Sequence, residues 1–485
     1  MMAGQSQSAA LVCGNRSRSY GELSERIRRK SRELRLNRNR PGRLAIELPD
    51  SFELIEWAMA AWEAGWCVLI VDSRLTEADR RSRTSRFCPH VVVRGLEGSF
   101  GVGAFRTDVE HSVEWQSREP GPESAGRRAV PDPTHEALVL FSSGSTGIPK
   151  MIARSRESLR EELVRYAEEE DAPGPGSRTL CLVPLSHSFG LISAAAHTLE
   201  RGGTLFFPEM QKPRTIADCI ERHEITHVYG VGFHYRLLAD EWSKRLNAAG
   251  KPEAPAPLRL LSSGGPLPQQ LRERMDKLGM RIGQQYGMSE VGYIAVNWPG
   301  VPAGSVGRPA EHLRTSVSAS GELVIELDRS PYLEPNDQWI GTAGGRNGRG
   351  RLRTQDIVST DDRGRLYILR RSNDQVSIGG LKVRLSEIED ALKAHPHIRD
   401  CCAVGVELPA AGTAIEAFVV WNEEGEAPIP ALRAWLGGRL ARYKIPRGIR
   451  AVPEIPISPA GKVLKGQLLK ECGHELNGRG SVDSQ

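Results

Sequence analysis

The chain has 485 residues, of which 39% are hydrophobic and 26% charged, which predicts about three structural units and excludes a single small module. Lys and Arg number 65 against 60 for Asp and Glu and are spread along the whole chain, so the charge gives no indication of nucleic-acid binding. The most apolar stretch, residues 58–71, contains Glu63 and is shorter than the ~20 apolar residues of a spanning helix, which excludes a transmembrane segment.

The cysteines and the N-terminus indicate where the protein works. The eight cysteines show no C-x-x-C pair and no zinc spacing, and the N-terminus has too short an apolar stretch for a signal peptide. We therefore expect reduced cysteines and a cytoplasmic protein.

Apolar segments alternate with amphipathic ones through the first 300 residues or so. A predicted helix over 20–34 precedes a strand at 44–48, and a helix over about 52–65 precedes a strand at 66–71. Further apolar runs that end in Gly, Pro or Ser predict strands at 137–141, 179–184, 226–231 and 258–265. This order predicts an α/β fold with a mainly parallel sheet covered by helices, and a ligand beyond the carboxyl ends of the strands.

The character of the chain changes beyond Gly304. Shorter strands are predicted at 321–327 and 365–369, and a compact third region begins near Arg371. In that region Ser386 and Glu389 have the S-x-x-E spacing of a capping box, which predicts a helix that starts at Ser386.

The segment 141–152, FSSGSTGIPKMI, is the most informative for chemistry. Its glycines and hydroxyl side chains leave backbone N–H groups free to approach an anion, and Lys150 adds a positive charge, which suits a triphosphate. A flexible Gly/Ser loop is the alternative. The spacing differs from that of P-loop proteins, because only two residues separate Gly144 from Gly147.

This segment resembles the phosphate loop of the adenylate-forming superfamily, which includes acyl- and aryl-CoA ligases, firefly luciferase and peptide-synthetase adenylation domains. The family's other motifs follow in the family's order, over about residues 19–469: SSGGPLP (262–268), QQYGMSE (284–290), GSVGRP (304–309), LRTQD (352–356), RRSNDQVSIGGLKV (370–383), RYKIP (442–446) and ISPAGKVLK (457–465). The resemblance implies a large N-terminal adenylation body (1–371), a small mobile α+β C-terminal domain (372–470), a polar tail (471–485) and an active site between the two domains.

The resemblance also implies how ATP is bound. Tyr286 resembles the residue that stacks on adenine, and Asp356 the acid that accepts the ribose hydroxyls, near Arg371. Glu290 resembles the magnesium-binding acid, and Lys462 the catalytic lysine that bridges the substrate carboxylate and the α-phosphate. The implied ATP and AMP contacts are Ser142, Ser143, Gly144, Ser145, Thr146, Gly147, Lys150, Gly264, Gly265, Pro266, Gln285, Tyr286, Gly287, Met288, Ser289, Asp356 and Arg371. Gln355 departs from the family, which usually has Gly there.

The acid pocket and the thiol path follow from the same resemblance. The implied pocket residues are His187 (also counted as catalytic), Ser188, Phe189, Tyr229, Gly264 and Gly287. A core histidine is the alternative for His187. Amino-acid-activating domains have Asp where this chain has Gly190, so an α-amino acid is not expected. The implied thiol tunnel is lined by Gly379 and Gly380, and the implied hinge is Asn373, where the family usually has Asp.

The predicted function is therefore the activation of an aromatic or other hydrophobic carboxylic acid by ATP and Mg²⁺, followed by transfer to a pantetheine thiol. CoA is slightly favoured as acceptor, and the alternative is a stand-alone ligase that loads the phosphopantetheine of a separate carrier protein. An inactive nucleotide- or acyl-binding protein is the competing class. The joint presence of Lys150, Glu290, Asp356 and Lys462 argues against it.

Overall fold

The computed structural model describes residues 5–96, 105–116, 130–142, 149–249, 258–265, 267–298, 304–341, 348–371, 375–378, 381–408, 412–422, 425–458 and 463–471. In the described part of the chain, no helix is long and apolar enough to span a bilayer.

The strands and helices are numbered in chain order. The strands are β1 Ala9–Cys13, β2 Arg16–Ser19, β3 Arg43–Glu47, β4 Cys67–Ile70, β5 Val91–Gly95, β6 His111–Trp115, β7 Glu136–Ser142, β8 Lys150–Ser155, β9 Arg178–Cys181, β10 Thr204–Phe207, β11 His227–Gly230, β12 Arg259–Ser262, β13 Ile282–Met288, β14 Gly292–Asn297, β15 Ser305–Gly307, β16 Arg314–Val317, β17 Glu322–Leu327, β18 Trp339–Gly341, β19 Gly350–Thr360, β20 Leu366–Arg371, β21 Gln375–Ile378, β22 Leu381–Arg384, β23 Ile398–Leu408, β24 Gly412–Trp421 and β25 Gly448–Ala451. The helices are α1 Tyr20–Asn37, α2 Phe52–Glu63, α3 Glu77–Phe87, α4 Arg156–Tyr166, α5 His197–Glu200, α6 Pro213–Arg222, α7 Gly232–Ala249, α8 Gln269–Lys277, α9 Leu385–Lys393, α10 Ile429–Gly437 and α11 Lys465–Glu471, with a π-helix at Phe189–Ala196 and a 3₁₀ turn at Arg442–Lys444.

Two sheets of mainly parallel strands form the N-terminal part. One has the order β6-β5-β3-β4-β7-β8 and the other β14-β13-β12-β11-β9-β10-β1-β2, and in both only the edge strands pair antiparallel. A single buried cluster includes Leu44 and Leu138 of the first sheet together with Leu205 and Leu261 of the second, so the two sheets share a core. The predicted helix-covered, mainly parallel architecture is thus confirmed.

The following segment forms a separate antiparallel sheet with the order β15-β20-β19-β17-β16, and β18 pairs with β19. Its core packs against β13 and β14, because Tyr286 and Ile294 share a buried cluster with Leu352 and Leu366. This contact places β19 and β20 beside β13.

The C-terminal segment combines helices with two small sheets. β21 pairs with β22, and β23-β24-β25 form a three-stranded sheet on which α9 and α10 bury Ile388, Leu392 and Leu432. This is the α+β composition that was predicted, and the boundary at residue 371 stays a prediction.

The structure shows one capping box that was not predicted and lacks the one that was. Ser19 caps α1 through a reciprocal contact with Glu22. The predicted capping box at Ser386 is wrong, because α9 begins at Leu385 with Arg384 as its N-cap residue. The carboxylate of Glu389 instead accepts a hydrogen bond from the backbone N–H of Ala403 at 2.8 Å, so tertiary packing takes the group that the local pattern assigned to the cap.

Candidate nucleotide site and acid pocket

Three of the predicted nucleotide residues, Tyr286, Asp356 and Arg371, contact one another, and we call them the ribose cluster. The Tyr286 hydroxyl donates to Asp356 Oδ2 at 2.7 Å, and Arg371 Nε donates to Oδ1 at 2.8 Å. Asp356 and Arg371 are cross-strand partners in β19 and β20. Burial and the neighbouring Asp356 carboxylate raise the pKa of Tyr286, which keeps its hydroxyl protonated as a donor.

The Asp356 carboxylate keeps hydrogen-bonding capacity beyond these contacts. An ionised carboxylate offers about four lone-pair sites, and the ribose cluster uses one on Oδ1 and shares Oδ2 between Tyr286 and a longer, 3.4 Å contact from Arg371 Nη2. Asp356 is 3% exposed. Asp356 is therefore oriented by two donors and still able to accept from a sugar hydroxyl.

Lys150 and Glu290, the predicted phosphate and magnesium residues, are connected through two residues that the sequence did not single out. Lys150 Nζ donates to Gln338 Oε1 at 2.7 Å, and the Tyr332 hydroxyl lies 3.2 Å from that same oxygen and 2.9 Å from Glu290 Oε1. We call Lys150, Glu290, Tyr332 and Gln338 the phosphate cluster. Asn336 Oδ1 accepts a further, 3.4 Å bond from Lys150.

The two clusters are joined through β19. Gln338 Nε2 donates to the backbone oxygen of Arg353 at 3.2 Å, three residues before Asp356. The segment between β17 and β18 that carries Tyr332 and Gln338 is thereby fixed to the strand that carries the ribose cluster. One hydrogen-bond network therefore links the two clusters, and their contacts with phosphate and sugar stay predictions.

The donor set at Glu290 fits a magnesium ion that is held largely by its substrate. Among the described residues, no group of three or more His, Cys, Asp or Glu side chains is placed to hold a metal ion. Mg²⁺ usually binds one or two carboxylates and completes its octahedron with phosphate oxygens and water. Glu290 is 8% exposed and has a second oxygen beyond the one that faces Tyr332, which suits this mode.

The ends of the predicted phosphate loop are held together by a strand pair. Ser142 at the end of β7 is the cross-strand partner of Lys150 at the start of β8. Ser143, Gly144, Ser145, Thr146 and Gly147 lie outside the described residues, as does Pro266. The pairing of β7 and β8 brings the described ends of this segment, Ser142 and Lys150, together, and its role as a phosphate loop stays a prediction.

Two of the glycines predicted near the base, Gly264 and Gly287, lie where a side chain would be strained or would clash. Gly264 has φ +91°, in the region that only glycine enters freely. A Cβ on Gly287 would lie 2.5 Å from the Gly292 carbonyl oxygen. Gly265 accepts a bond from Gln284 Nε2 at 3.3 Å, and Met288 and Ser289 follow Gly287 at the end of β13 and in the turn to β14.

Gln285, also predicted to contact ATP, points toward a different element. Its Nε2 donates to Ser193 Oγ in the π-helix at 3.0 Å, and the side chain is 5% exposed. Gln285 thus faces the helix that follows the predicted acid-pocket residues, whereas its neighbour Tyr286 faces Asp356. Its contact with ATP stays a prediction.

The acid-pocket residues cluster at the start of the π-helix. The ring of Phe189 lies 5.4 Å from that of Tyr229, centroid to centroid, and the Tyr229 hydroxyl is hydrogen-bonded to that of Tyr166 at 2.9 Å. Tyr229 is fully buried and packs against the ring of Phe189. Its direct contact with an acid stays a prediction. His187 and Ser188 directly precede the helix.

Gly190 and His187 add two constraints at this site. A Cβ on Gly190 would lie 2.3 Å from the Pro184 carbonyl oxygen, so the backbone leaves no room for the aspartate of amino-acid-activating domains. His187 is near Asp72, whose pKa is lowered, against its burial, mainly by bonds from Arg74 and to a smaller extent by His187. The imidazole therefore has a carboxylate neighbour that the sequence did not reveal.

The predicted residues of the C-terminal segment lie outside the described residues: Lys462, Gly379, Gly380 and Asn373. The paired residues Ile378 and Leu381 of β21 and β22 flank Gly379 and Gly380 in sequence. The catalytic, tunnel and hinge assignments stay predictions.

Comparison with known proteins identifies the family. Residues 2–325 match the model of the AMP-binding enzyme family, and residues 387–462 match that of the AMP-binding enzyme C-terminal domain. A feruloyl-CoA synthase from Amycolatopsis sp is 26% identical over 478 residues, covering 95% of each chain. A salicylyl-CoA synthase / salicylate adenylyltransferase from Streptomyces sp is 26% identical over 509 residues, covering 95% of this chain and 90% of the relative.

A solved structure supports the fold. The crystal structure of ATP-bound MatB from Rhodopseudomonas palustris superposes with a TM-score of 0.78 at 22% identity, covering 96% of both chains. The curated relatives carry the name of CoA synthase, the class of enzyme that the sequence predicts. The family model covers more than half of the chain, so this protein belongs to the AMP-binding enzyme family and is an enzyme of the adenylate-forming superfamily, as its motifs predicted.

Proposed function

We propose that this enzyme activates a carboxylic acid with MgATP as an acyl-AMP and transfers the acyl group to a pantetheine thiol, with CoA favoured as acceptor. The observation that carries the proposal is the continuity of the ribose and phosphate clusters. Gln338 contacts Lys150 and also the strand of Asp356, so residues suited to phosphate and to ribose lie within one network.

In the first step, a carboxylate oxygen of the acid bonds to the α-phosphorus of ATP, and the bond from that phosphorus to the β-phosphate oxygen breaks, which releases pyrophosphate. Lys150 supplies positive charge to the phosphates, and Asp356 accepts from the ribose hydroxyls. Glu290 would hold Mg²⁺, which neutralises phosphate charge when it is bound. Lys462 is proposed to reduce the repulsion between the carboxylate and the α-phosphate.

An aromatic or other hydrophobic acid is the proposed substrate. Phe189, whose ring packs against the buried ring of Tyr229, supplies apolar surface, and the closed backbone at Gly190 leaves no place for a carboxylate that would hold an α-ammonium group. The names of the two curated relatives, for feruloyl and salicylyl transfer, support the same class of acid.

In the second step, the thiol gives its proton to solvent and its sulfur bonds to the acyl carbon, while the bond from that carbon to the AMP oxygen breaks and AMP is released. We propose that the C-terminal domain turns about Asn373 between the steps and brings Gly379 and Gly380 to the thiol path, where residues without side chains suit a narrow channel. Loading of a carrier protein is the alternative, because it presents the same pantetheine arm.

A pyrophosphate-exchange panel tests the proposal. With MgATP, we expect labelled pyrophosphate to enter ATP only when a suitable acid is present, and Lys462→Ala to reduce exchange about 10²–10³-fold. Incubation of the active acid with CoA or with phosphopantetheinylated carrier proteins then ranks the acceptors by kcat/KM. A folded, ATP-binding sample that exchanges with no aromatic, aliphatic or amino acid would contradict the proposal, and acylation of a carrier protein but not of CoA would select the alternative.

A further inference from the structure

Gln355, directly before Asp356, adopts a backbone conformation that its side chain disfavours. Its φ is +62°, in the left-handed region that residues other than glycine seldom enter. Such outliers persist only where the surroundings hold them, and they are frequent at functional sites. The position is the one at which the family's usual glycine is replaced.

The outlier coincides with a bulge between β17 and β19. Glu322 pairs with Ile357 and Val324 pairs with Arg353, so residues 354–356 lie opposite Leu323 alone. A bulge of this kind interrupts the ladder and re-aims a side chain. Here the side chain that follows the left-handed residue is the Asp356 carboxylate of the ribose cluster.

Side chains replace the ladder hydrogen bonds that the bulge loses. The backbone N–H of Gln355 donates to Glu322 Oε1 at 2.9 Å, and that of Asp356 donates to Thr354 Oγ1 at 3.1 Å. The other Glu322 oxygen accepts from Arg353 Nη2 at 2.7 Å and from Nε at 3.0 Å. Glu322 is 3% exposed, and both of its carboxylate oxygens have hydrogen-bond partners. The carboxylate is therefore held in one orientation.

We propose that Glu322 is a positioning residue for ATP, acting through the backbone of Gln355. Its carboxylate holds Gln355 in the left-handed conformation, and this conformation sets the direction in which Asp356 meets the ribose. The inference rests on the proposed function only in taking the ribose as the partner of Asp356. It assigns to Glu322 an effect on ATP and none on the acid.

A double-mutant cycle in the full-length enzyme tests this inference by pyrophosphate exchange. We expect Glu322→Ala to raise KM for ATP about 10-fold while KM for the acid changes less than twofold. Adding Gln355→Gly should bring KM for ATP back to within about threefold of wild type, because glycine adopts positive φ without a partner. Gln355→Gly in the wild-type background completes the cycle.

Glu326→Ala is the matched control. Glu326 is on the same strand, but its carboxylate faces Arg351 at 3.6 Å on the surface, so KM for ATP should stay within twofold of wild type. If Glu322→Ala does not fold, as judged by circular dichroism, Glu322→Leu with and without Gln355→Gly replaces it, because leucine fills the buried space without an acceptor for the Gln355 N–H.

The outcomes separate the two claims. An unchanged KM for ATP in the folded Glu322 variant, or a raised KM that Gln355→Gly does not restore, overturns the positioning role. Equal increases in KM for ATP and for the acid also overturn it, because they indicate general damage. Absence of exchange in the wild-type enzyme contradicts the proposed function instead.

Discussion

The ribose cluster and the phosphate cluster are assembled in different ways. Asp356 and Arg371 are cross-strand partners in one sheet, so the backbone ladder fixes their separation. Lys150 and Glu290 come from segments far apart in sequence, and hydrogen bonds from the side chains of Tyr332 and Gln338 connect them.

This difference predicts how substitutions in each cluster affect the use of ATP. A contact set by strand pairing cannot move without disturbing the sheet, and its loss leaves buried polar groups without partners. The bonds in the phosphate cluster are carried by side chains alone, and two of them involve the charged groups of Lys150 and Glu290. Such a bond contributes about 1.5–3 kcal/mol, but it can be replaced when a phosphate arrives. We therefore expect larger effects on ATP use from the ribose cluster than from the bridging residues of the phosphate cluster.

The largest effect is expected for Asp356→Ala. The change removes the ribose acceptor and deprives the buried Tyr286 hydroxyl of its partner, so kcat/KM for ATP should fall about 10²-fold, or about 3 kcal/mol. Steady-state exchange kinetics measure it. Asp361→Asn, in the turn after β19, is the control, because Asp361 contacts Arg365 rather than the ribose cluster. An equal fall in kcat/KM in both variants would contradict the role of Asp356 as the ribose acceptor.

Glu290→Gln should change the dependence on metal. Gln keeps an acceptor for the Tyr332 hydroxyl but loses the negative charge, so the Mg²⁺ concentration for half-maximal exchange should rise on the order of 10-fold. Glu334→Gln is the control. Glu334 lies between β17 and β18, where its carboxylate pairs with Arg86, so its change should leave the Mg²⁺ dependence unaltered. If the Glu290 variant showed the wild-type dependence, Glu290 would not be a metal ligand.

Acid should weaken the fold without distinguishing the two clusters. Burial lowers the pKa of His234 from 6.5 to about 4, so the unfolded chain takes up a proton first as the pH falls. The stability due to His234 is full above pH 6.5 and is lost as the pH falls toward 4. Between pH 7.5 and 5.5 the part of the free energy of unfolding that His234 contributes should fall by about 1 kcal/mol, measured as the difference between wild type and His234→Gln in urea unfolding.

His234→Gln should remove this part of the pH dependence, while His197 and His227, whose pKa values burial also lowers to about 4, keep theirs. The same wild-type slope is expected in Asp356→Ala and in Tyr332→Phe. A different slope in either variant would show that the clusters contribute to acid sensitivity.

The smallest effect is expected for Tyr332→Phe. The hydroxyl that links Glu290 to Gln338 is lost, but Lys150 keeps its own contact with Gln338, so kcat/KM for ATP should fall about threefold. Tyr367→Phe is the control, because that hydroxyl contacts Asp361 instead. A loss as large as that in Asp356→Ala would show that the phosphate cluster is as rigid as the ribose cluster.

Sequence patterns predicted the elements that carry the site better than they predicted its contacts. The apolar runs at 66–71 and 258–265 contain β4 and β12. They were recognisable because a buried parallel strand is a nearly unbroken run of hydrophobic residues. Motif residues such as Asp356 were recognisable because they stand in fixed order with other motifs. The Ser386 capping box failed, since Glu389 finds a partner 14 residues away that a local pattern does not contain.

Tyr332 and Gln338 were missed for a related reason. The segment between β17 and β18 has no periodicity and no glycine-rich motif. Its polar side chains can be recognised as part of the site only from the fold, which places them beside Lys150 and Glu290. Gln355 was recognised as a departure, but its positive φ and its bond to Glu322 depend on a bulge that strand patterns do not reveal.

The pairing of Asp356 with Arg371 limits how this part of the chain can evolve in length. Side chains alternate between the two faces of a strand, so insertion or deletion of a single residue within β19 or β20 would turn one partner to the opposite face. Additions to the turn at 361–364 would leave the register intact. Homologous chains that keep this pair should therefore vary in length at the turn and stay constant within the strands.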